Sequence, residues 1–515
     1  MIHNLNKLRT IILPSTLWFF AGADLILLPL LSTEIEKLYF PNDNPVNSIL
    51  VVYATLSLSL LARVFGGLYF GRLGDIYGRK PVVMICFLVI SIIMIISAFL
   101  PSIFNKETSL FSSYPYFIIP LSFIITRISI GFFVGGLWPT AGVLAIENSY
   151  WLRFNKDYKD EEFNIAQILF KNATKKMTRE SAAVQVGFFA GYLVAAILVS
   201  FINKDLIGLH NLFNDSLIWR TMSLLLGVFG LILWVICYFH LDESEEWLKW
   251  SKKWKDHEIQ LVPGIKSLLD SDKYREILIS FWLILTGLMY MYYSTIITST
   301  ELFKRDTIAD YPVTLILLLM TLVAHLWAGI LCYYVWIRKF KFSIYDTLRN
   351  YKTKFSVNAG RFVGVKYDSS CQSSKGTDDL PKVKEESNLD VRLIAMISFV
   401  LVFLGIGGSV LFLLSSPGPA NKAFTISYFS IVILVANAGW ALIPSMTSSR
   451  FPIHIRNTGA SLSYNGGLAI SFASPFVILE FYMNLRSEYI LFLPMILGSI
   501  SMIIGAARLM RVDET

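Results

Sequence analysis

The chain consists of long apolar stretches separated by short polar segments. Twelve stretches hold about twenty or more mainly apolar residues, the length with which an α-helix crosses the hydrocarbon core of a bilayer. They lack the alternation of apolar and polar positions that marks the strands of a transmembrane barrel. We therefore predict an all-α membrane protein with twelve transmembrane helices. The predicted spans 1 to 12 are residues 10–34, 47–71, 81–101, 117–147, 180–202, 218–240, 275–299, 311–337, 391–414, 424–448, 456–480 and 488–508.

The connections between the spans indicate two halves. A polar segment separates the first six spans from the last six, which predicts an N-terminal half at 1–241, a linker at 242–274 and a C-terminal half at 275–515. A second long connection, 338–391, becomes rich in Ser, Lys and Asp, a composition that favours partial disorder.

The linker carries three tryptophans at helical spacing, Trp247, Trp250 and Trp254, with three lysines between them and Lys255 directly after. This pattern predicts a short basic amphipathic helix. Two placements fit it equally well. The helix can lie at the lipid headgroups, or it can be a solvated linker helix whose tryptophan stripe packs against protein.

Composition narrows the class of protein. Hydrophobic residues make up 55% of the 515 residues and charged residues only 16%, whereas a soluble domain is about 25% charged. Soluble and disordered classes are therefore excluded. The four cysteines are too scattered for a disulfide framework or a zinc site. The sequence has no phosphate-binding loop, metal-ligand cluster or nucleophile motif, so we expect neither an enzyme nor a cofactor.

The basic residues indicate the orientation in the membrane. Of the 45 Lys and Arg residues, 35 lie in the termini and in the connections after even-numbered spans, and only seven lie in the opposite connections. Because basic residues favour the inner side, we predict a multi-pass cell-membrane protein with both termini in the cytoplasm. The net charge of +8 then reflects topology and contact with lipid, and nucleic acid is not an expected partner.

Two charges fall deep inside predicted spans. A charge at the bilayer centre costs about 2.5–3.5 kcal/mol on insertion scales, so each such residue needs a partner or a function. At 1.5 Å per residue, Asp24 of span 1 and Arg127 of span 4 lie at depths that agree within two helical turns. An ion pair between them is therefore possible. It can be purely structural, or it can be a protonatable carboxylate beside a movable cation.

Two further polar residues lie inside predicted spans. Arg63 lies nearer the cytoplasmic end of span 2, where its side chain can extend to the interface, so we expect it to be structural. His325 is the single histidine within the spans. A helix–helix hydrogen bond is the simpler role for it, and proton relay is the alternative.

The turn after span 2 is the most specific motif. It reads Gly71-x-x-x-Asp75-x-x-Gly78-Arg79-Lys80 and resembles the signature of the major facilitator superfamily at its expected place. Further segments are similar to the metabolite:proton symporters of that superfamily. These are 61–67, Arg127 to Glu147, Arg179 to Gly191, Trp219-Arg220, Glu243 to Leu248, and Phe451 to Asn465 with Pro475.

The sequence also departs from that pattern. Leu137 stands where these symporters usually have Glu, and related phosphate porters have Asp. Ser449-Arg450 replaces the acidic residue that commonly precedes Phe-Pro, and the second-half copy of the turn signature, 329–339, has lost its Asp. Phosphate is therefore a less favoured substrate.

The resemblance implies a fold and a mechanism. It implies two six-helix halves that rock around a midplane site, and a monomeric, proton-coupled transporter of a small polar solute. Asp24 is then the proton-carrying residue and Arg127 its partner. The residues implied to form a cytoplasmic gate are Gly71, Asp75, Gly78, Arg79, Lys80, Glu147, Arg179 and Glu243.

Polar and aromatic residues of the spans are candidates to line a substrate cavity. They are Trp138, Gln185, Tyr290, Tyr293, His325, Tyr464 and Asn465. Packing between helices is the alternative role for them. Two other functions also fit the sequence: a facilitative sugar or solute uniporter, and a non-transporting receptor of the same fold.

Overall fold

The computed structural model describes residues 11–41, 45–101, 117–157, 181, 184–199, 217–256, 264–305, 389–414, 431–432, 435–436, 438–472 and 492–514. Helices dominate these ranges, and no β-strand occurs within them. Span 8 and residues 338–388 of the 338–391 connection lie outside the described residues, as do Arg179 and His325. The side chain of Tyr293 is likewise outside the description.

The helices are numbered here in chain order. They are α1 (Leu13–Leu30), α2 (Ser32–Tyr39), α3 (Pro45–Tyr77), α4 (Arg79–Ala98), α5 (Ile118–Asp157), α6 (Val184–Val199), α7 (Leu217–His240), α8 (Glu245–Lys255), α9 (Ile265–Leu269), α10 (Asp272–Arg305), α11 (Leu389–Leu414), α12 (Ile443–Ser449), α13 (Arg456–Ile470) and α14 (Phe492–Glu514).

Seven described helices are long and apolar enough to cross a membrane. They are α1, α3, α4, α5, α7, α10 and α14, which match predicted spans 1, 2, 3, 4, 6, 7 and 12. The helices α6 and α11 fall in spans 5 and 9, and α13 covers most of span 11. The predicted all-α membrane class is confirmed.

The outer surface of these helices is apolar. Phe65, Phe239 and Phe403 are each more than 60% exposed, and many other large apolar side chains are exposed in the same way. Polar side chains are instead found inside, including the charged Asp24 and Arg127. This inverted distribution suits a surface that faces lipid, where an exposed apolar side chain carries no penalty.

Small residues let helices of the first half pack closely. A Cβ at Gly66 of α3 would overlap the carbonyl oxygen of Phe132 on α5, and one at Gly135 of α5 would overlap that of Arg63. The two backbones therefore touch, as in other membrane helix pairs with small residues four apart. This contact fixes how α3 presents Arg63 and how α5 presents Arg127.

Helix α13 of the second half packs against the first half. The side-chain amide of Asn465 donates to the carbonyl oxygen of Gly135 at 2.9 Å, and that of Asn457 donates to Gly71 at 3.1 Å. A Cβ at Gly71 would lie about 3.1 Å from atoms of Thr458 and Ser461. α13 therefore lies directly on α3 and α5, and the two halves meet at this end.

The linker helix α8 packs its tryptophans against protein. Ser244 caps its N-terminus by accepting a hydrogen bond from the backbone of Trp247 at 3.1 Å. Trp247 and Trp250 are only 6% and 7% exposed, and the Trp247 indole donates to the carbonyl oxygen of Asp75 at 2.9 Å. Of the two placements that the sequence left open, the structure has the packed stripe.

Candidate functional site

The first polar centre is the pair between α1 and α5. Arg127 Nη1 lies 2.9 Å from Asp24 Oδ1, and the two residues are 1% and 4% exposed. The guanidinium lies 5.0 Å from the ring of Trp219, and its Nη2 lies 3.4 Å from Met94 Sδ. The carboxylate and its cation are thus shielded from water by aromatic and sulfur-containing side chains, where their mutual attraction is strong.

This pair carries little redundancy. Asp24 is the one carboxylate with which Arg127 forms an ion pair among the described residues. Arg127 Nε is buried without a hydrogen-bond partner in the same part of the chain. Neutralising Asp24 would therefore leave the cation without a balancing charge. Protonation of this single carboxylate would therefore remove most of the attraction that stabilises the buried guanidinium.

The second polar centre surrounds Arg79, the first residue of α4. Its Nε and Nη2 each lie 3.1 Å from one carboxylate oxygen of Glu147, a bidentate arrangement. Nη1 donates to the carbonyl oxygen of Gly74 at 2.9 Å and lies 3.5 Å from Asp75 Oδ1. Nη2 also donates to the carbonyl oxygen of Ile453, which belongs to the second half, at 3.0 Å.

Arg456, the first residue of α13, joins this centre from the second half. Its Nη1 lies 3.0 Å from Glu147 Oε1 and 2.8 Å from Glu246 Oε2 of the linker helix. Its Nε donates to the carbonyl oxygen of Phe451 at 3.1 Å. One arginine therefore ties α5, α8 and α13 together. We call Asp75, Arg79, Glu147, Glu243, Glu246 and Arg456 the gate network, after the role that the resemblance of the turn motif implies.

Asp75 caps a helix that belongs to the other half. Its carboxylate accepts hydrogen bonds from the backbone amides of Asn457 and Thr458, both at 2.9 Å, and from the Thr458 hydroxyl at 2.6 Å. The N-cap residue of α13, Ile455, supplies no side-chain cap. An anion at a helix N-terminus satisfies open amides and the helix dipole. The cap on α13 thus exists only while the halves are together.

Glu243 caps the N-terminus of α4 in a similar way. Its carboxylate accepts from the backbone amides of Arg79 and Lys80, each at 3.0 Å, and burial raises the pKa of this carboxyl group. The N-cap, Gly78, has φ of +108°, which favours glycine, and a Cβ there would overlap the Glu243 carboxylate. Lys80 Nζ donates to the carbonyl oxygen of Tyr238 at 3.1 Å.

A narrow cavity lies between the two halves. Its volume is only about 20 Å³, because the aromatic rings that line it pack closely. Trp138 stacks on Trp18 with ring centroids 5.3 Å apart, and Tyr464 packs on Trp138 at 5.6 Å. The Arg63 guanidinium lies 4.9 Å from the Trp138 ring centroid. Leu25 also lines the cavity and follows Asp24 directly in α1, so the cavity lies near the first polar centre.

Some of the predicted cavity residues line the cavity and others do not. Trp138, Gln185 and Tyr464 line the cavity, and the Gln185 amide also donates to the carbonyl oxygen of Trp440 at 3.1 Å. Tyr290 and Asn465 are not among its lining residues. The Asn465 amide is instead held between α13 and α5, because it can satisfy a backbone carbonyl where two helices touch.

The expectation that the Arg63 side chain extends to the interface was wrong, and its structural role stays a prediction. Its side chain does not reach the interface, since the residue is only 2% exposed and lines the cavity. The close contact between α3 and α5 places it beside Trp138, where the aromatic ring stabilises a cation by cation–π attraction.

Comparison with known proteins agrees with this architecture. Residues 16–149 match the family model described as Major Facilitator Superfamily. The structure of the proton:xylose symporter XylE bound to 6-bromo-6-deoxy-D-glucose superposes with a TM-score of 0.59 and 15% sequence identity, over 96% of this chain and 93% of that one. Residues 16–149 are thus similar to that superfamily, and the likeness to the symporter, at 15% identity, shows a shared fold.

Curated relatives are similar to this chain over shorter stretches. The shikimate transporter of Escherichia coli (strain K12) is 28% identical over 165 residues, which cover 32% of this chain and 30% of that protein. The proline/betaine transporter of the same strain is 30% identical over 115 residues, 22% of this chain and 21% of that protein. The chain thus matches less than a third of the length of either relative, and both relatives are transporters rather than enzymes.

Several site residues were missing from the set that was predicted from the sequence. Arg456 and Glu246 complete the gate network, and Trp18 and Trp440 complete the aromatic cluster. Arg456 lies in the Phe-Pro-x-x-x-Arg motif, so the motif could have indicated it. Nothing in the local pattern distinguishes Trp18 from a tryptophan that faces lipid.

Proposed function

We propose that this chain is a secondary active transporter that moves a small polar solute by alternating access, driven by protons. The observation that carries the proposal is the buried pair of Asp24 and Arg127 beside the cavity between the halves. A buried ion pair of this kind is weak as a source of stability, because desolvation offsets much of the attraction. A role in coupling accounts for its retention inside the membrane.

The proposed cycle uses the pair as a switch. Protonation of Asp24 neutralises the carboxylate and releases Arg127, whose Nε already lacks a hydrogen-bond partner within the described residues. Helices α1 and α5 can then move relative to each other. Since Leu25 lines the cavity, such a movement changes the shape of the solute site. Proton binding and solute binding are coupled in this way.

The proposed topology places the gate network at the cytoplasmic face of a cell membrane, with both termini inside. The halves are proposed to be residues 1–241 and 275–515, joined by the linker 242–274. Arg456 and Asp75 each contact the opposite half, so the network holds this end closed. The cytoplasmic gate of the cycle is therefore the network defined above, with Gly71 at the α3–α13 contact and Gly78 and Lys80 at the start of α4.

Uptake into proteoliposomes tests this function. The purified chain is reconstituted and offered a panel of labelled organic acids, betaines, amino acids and sugars, with and without an imposed proton gradient. We expect accumulation of one class above equilibrium when the gradient is present and its loss when a protonophore collapses the gradient. Equilibration that ignores the gradient would indicate a uniporter. No uptake of any solute would favour the receptor.

A further inference from the structure

The ion pair of Asp24 and Arg127 lies toward the end of the first half that is farther from the gate network. Arg127 and Glu147 belong to the same helix, α5, and lie about 30 Å apart along it at 1.5 Å per residue. The far end is where α4 ends and where α5 and α7 begin. A proton that entered the first half at this end would meet Asp24 without passing through the cavity between the halves.

Charged residues also lie at the far end itself. Glu34 Oε1 accepts from the backbone amide of Trp219 at 3.2 Å, and Arg220 Nη2 donates to the carbonyl oxygen of Leu100 at 2.9 Å. Glu34 Oε2 and Arg220 Nε are buried without a hydrogen-bond partner among the described residues, and so is Arg127 Nε beside Asp24. Water binds readily to polar atoms of this kind where there is room for it. Groups that could hold water are therefore present both at the far end and at the ion pair.

Three aromatic rings, those of Tyr39, Phe123 and Trp219, form a layer between these two sets of polar groups. Tyr39 stacks on Phe123 with ring centroids 4.5 Å apart, Phe123 packs on Trp219 at 5.6 Å, and each residue is 0% exposed. The guanidinium carbon of Arg127 lies 5.0 Å from the Trp219 ring and 5.9 Å from that of Phe123. Phe123 precedes Arg127 by about one turn of α5. The aromatic layer therefore covers the ion pair on the side of the far end.

The aromatic layer is held by helices that also hold the ion pair. Tyr39 is the last residue of α2, and only Leu31 separates α2 from α1, the helix that carries Asp24. Glu34 of α2 fixes the backbone of Trp219 at the start of α7 through the hydrogen bond described above. The layer is thus tied to the helix of the proposed proton carrier.

We propose that Tyr39, Phe123 and Trp219 form a proton seal, so that Asp24 exchanges protons only through the cavity between the halves. The inference rests on the proposed proton-coupled function and goes beyond it, because it assigns residues that keep proton movement tied to solute movement. Closely packed rings leave no room for a chain of hydrogen-bonded waters. Removal of the Trp219 ring would open a space next to the unpartnered Nε of Arg127, where water can bind.

Proton flux without any solute tests the seal. Proteoliposomes contain the full chain and a trapped pH-sensitive dye, a proton gradient is imposed, and a potassium ionophore with potassium on both sides compensates the charge that protons carry. We expect Trp219→Ala to admit protons at least about tenfold faster than the unmodified chain, which corresponds to about 1.4 kcal/mol of barrier. Trp219→Phe keeps a ring in the layer and should admit protons as slowly as the unmodified chain.

Phe87→Ala is the matched control. Phe87 is likewise 0% exposed in the first half, but it packs on Phe20 with ring centroids 5.1 Å apart and belongs to neither polar centre. An apolar cavity stays dry, so this variant should lose stability without gaining a proton leak. The double variant Trp219→Ala/Asp24→Asn should lose most of the leak, because the entering proton then finds no carboxylate to bind. Thermal unfolding shows whether each variant is folded.

The outcomes separate the seal from the transport function. A leak in Trp219→Ala that is absent from Trp219→Phe and Phe87→Ala supports the seal. No leak in Trp219→Ala, an equal leak in Phe87→Ala, or a leak that survives the added Asp24→Asn overturns it. If Trp219→Ala does not fold, Tyr39→Ala, at the other edge of the layer, decides by the same comparison.

Because the flux assay contains no solute, the two proposals can fail separately. If the leak appears as expected but no solute of the panel accumulates, the seal stands and the transport function fails. If a solute accumulates with the gradient but Trp219→Ala does not leak, the transport function stands and the seal fails.

Discussion

The two polar centres of this molecule use the same residue types in different ways. In the gate network, Glu147 is shared by Arg79 and Arg456, and the Asp75 carboxylate accepts from two backbone amides and a hydroxyl. In the pair of Asp24 and Arg127, one arginine faces one aspartate. Redundant contacts hold one arrangement firmly, whereas a single ion pair is lost when its one carboxylate is neutralised.

The two polar centres also differ in the groups that surround their charges. The gate network lies at helix ends, where open amides and carbonyls of the backbone supply part of the hydrogen bonding. The pair of Asp24 and Arg127 has the ring of Trp219 and the sulfur of Met94 as neighbours, and these groups solvate a charge poorly. Stability is therefore expected to depend mainly on the first centre and coupling mainly on the second.

The largest effect on stability is expected from Arg79→Gln. The change leaves Glu147 and Asp75 buried with one cation fewer and breaks the contact with Gly74. Losing one partner of a buried ion pair destabilises by about 3–5 kcal/mol. Thermal unfolding of the purified chain in detergent measures this. The exposed Arg72→Gln should unfold as the unmodified chain does, and equal stability of the two variants would contradict a structural role for the network.

Asp24→Asn should abolish accumulation driven by a proton gradient and cost less stability than Arg79→Gln. The asparagine keeps an acceptor for Arg127 but cannot exchange a proton, so we expect a loss of about 1.5–3 kcal/mol. Gradient-driven uptake and thermal unfolding are measured together. The double variant Asp24→Asn/Arg127→Gln removes the uncompensated charge and should regain stability but not coupling. Concentrative uptake by either variant would mean that the pair is purely structural.

Asp75→Asn is expected to shift the proposed gate toward its open state and to leave the chain folded. An asparagine can still accept from the amides of Asn457 and Thr458, but it loses the charge that favours the α13 N-terminus, a change of about 1–2 kcal/mol. Cysteine labelling across the proposed cytoplasmic cavity should increase, and transport should slow while solute binding persists. The exposed Asp270→Asn serves as the control. Unchanged labelling in Asp75→Asn would remove the support for this gate.

The smallest effect concerns pH and the contact between α8 and the second half. His454 stacks on Trp250 at 6.3 Å, and partial burial lowers the pKa of this histidine below its usual 6.5. The folded state therefore binds fewer protons than the unfolded state between the two pKa values. Its contribution to stability is complete above pH 6.5 and is lost as the pH falls through the lowered pKa.

Thermal unfolding between about pH 7.5 and 5.5, roughly one unit to either side of the usual histidine pKa, measures this contribution. His454→Gln should flatten part of the acid-induced decrease, whereas the exposed His240→Gln should leave it unchanged. A decrease of equal size in all three proteins would show that the stacked histidine plays no part in it.

The sequence was informative where one physical rule dominates. Apolar length predicts the helices, and the cost of a buried charge directs attention to Asp24 and Arg127, which the structure places 2.9 Å apart. The turn motif likewise points to Asp75 and Arg79. Each of these arguments uses only local sequence and the thickness of a membrane.

The site residues that the sequence did not predict depend on contacts between distant segments. Arg456 meets Glu147 across 309 residues of sequence, and Gln185 meets Trp440 across 255. Arg63 was misjudged because its depth was estimated from the span alone, while the contact between α3 and α5 turns it toward the cavity. No pattern within a single helix contains that information.

Because Asp75 of the first half caps the N-terminus of α13, opening of the proposed gate at this end would require water to enter. When Asp75 moves away, the amides of Asn457 and Thr458 have no substitute from their own helix, since Ile455 supplies none. Solvent must enter the separating surfaces to take up these amides, because unsatisfied buried amides are costly. In the proposed cycle, separation of the halves is therefore also a wetting transition. Osmolytes that are excluded from protein surfaces should slow it, so the rate of the cycle becomes sensitive to the activity of water.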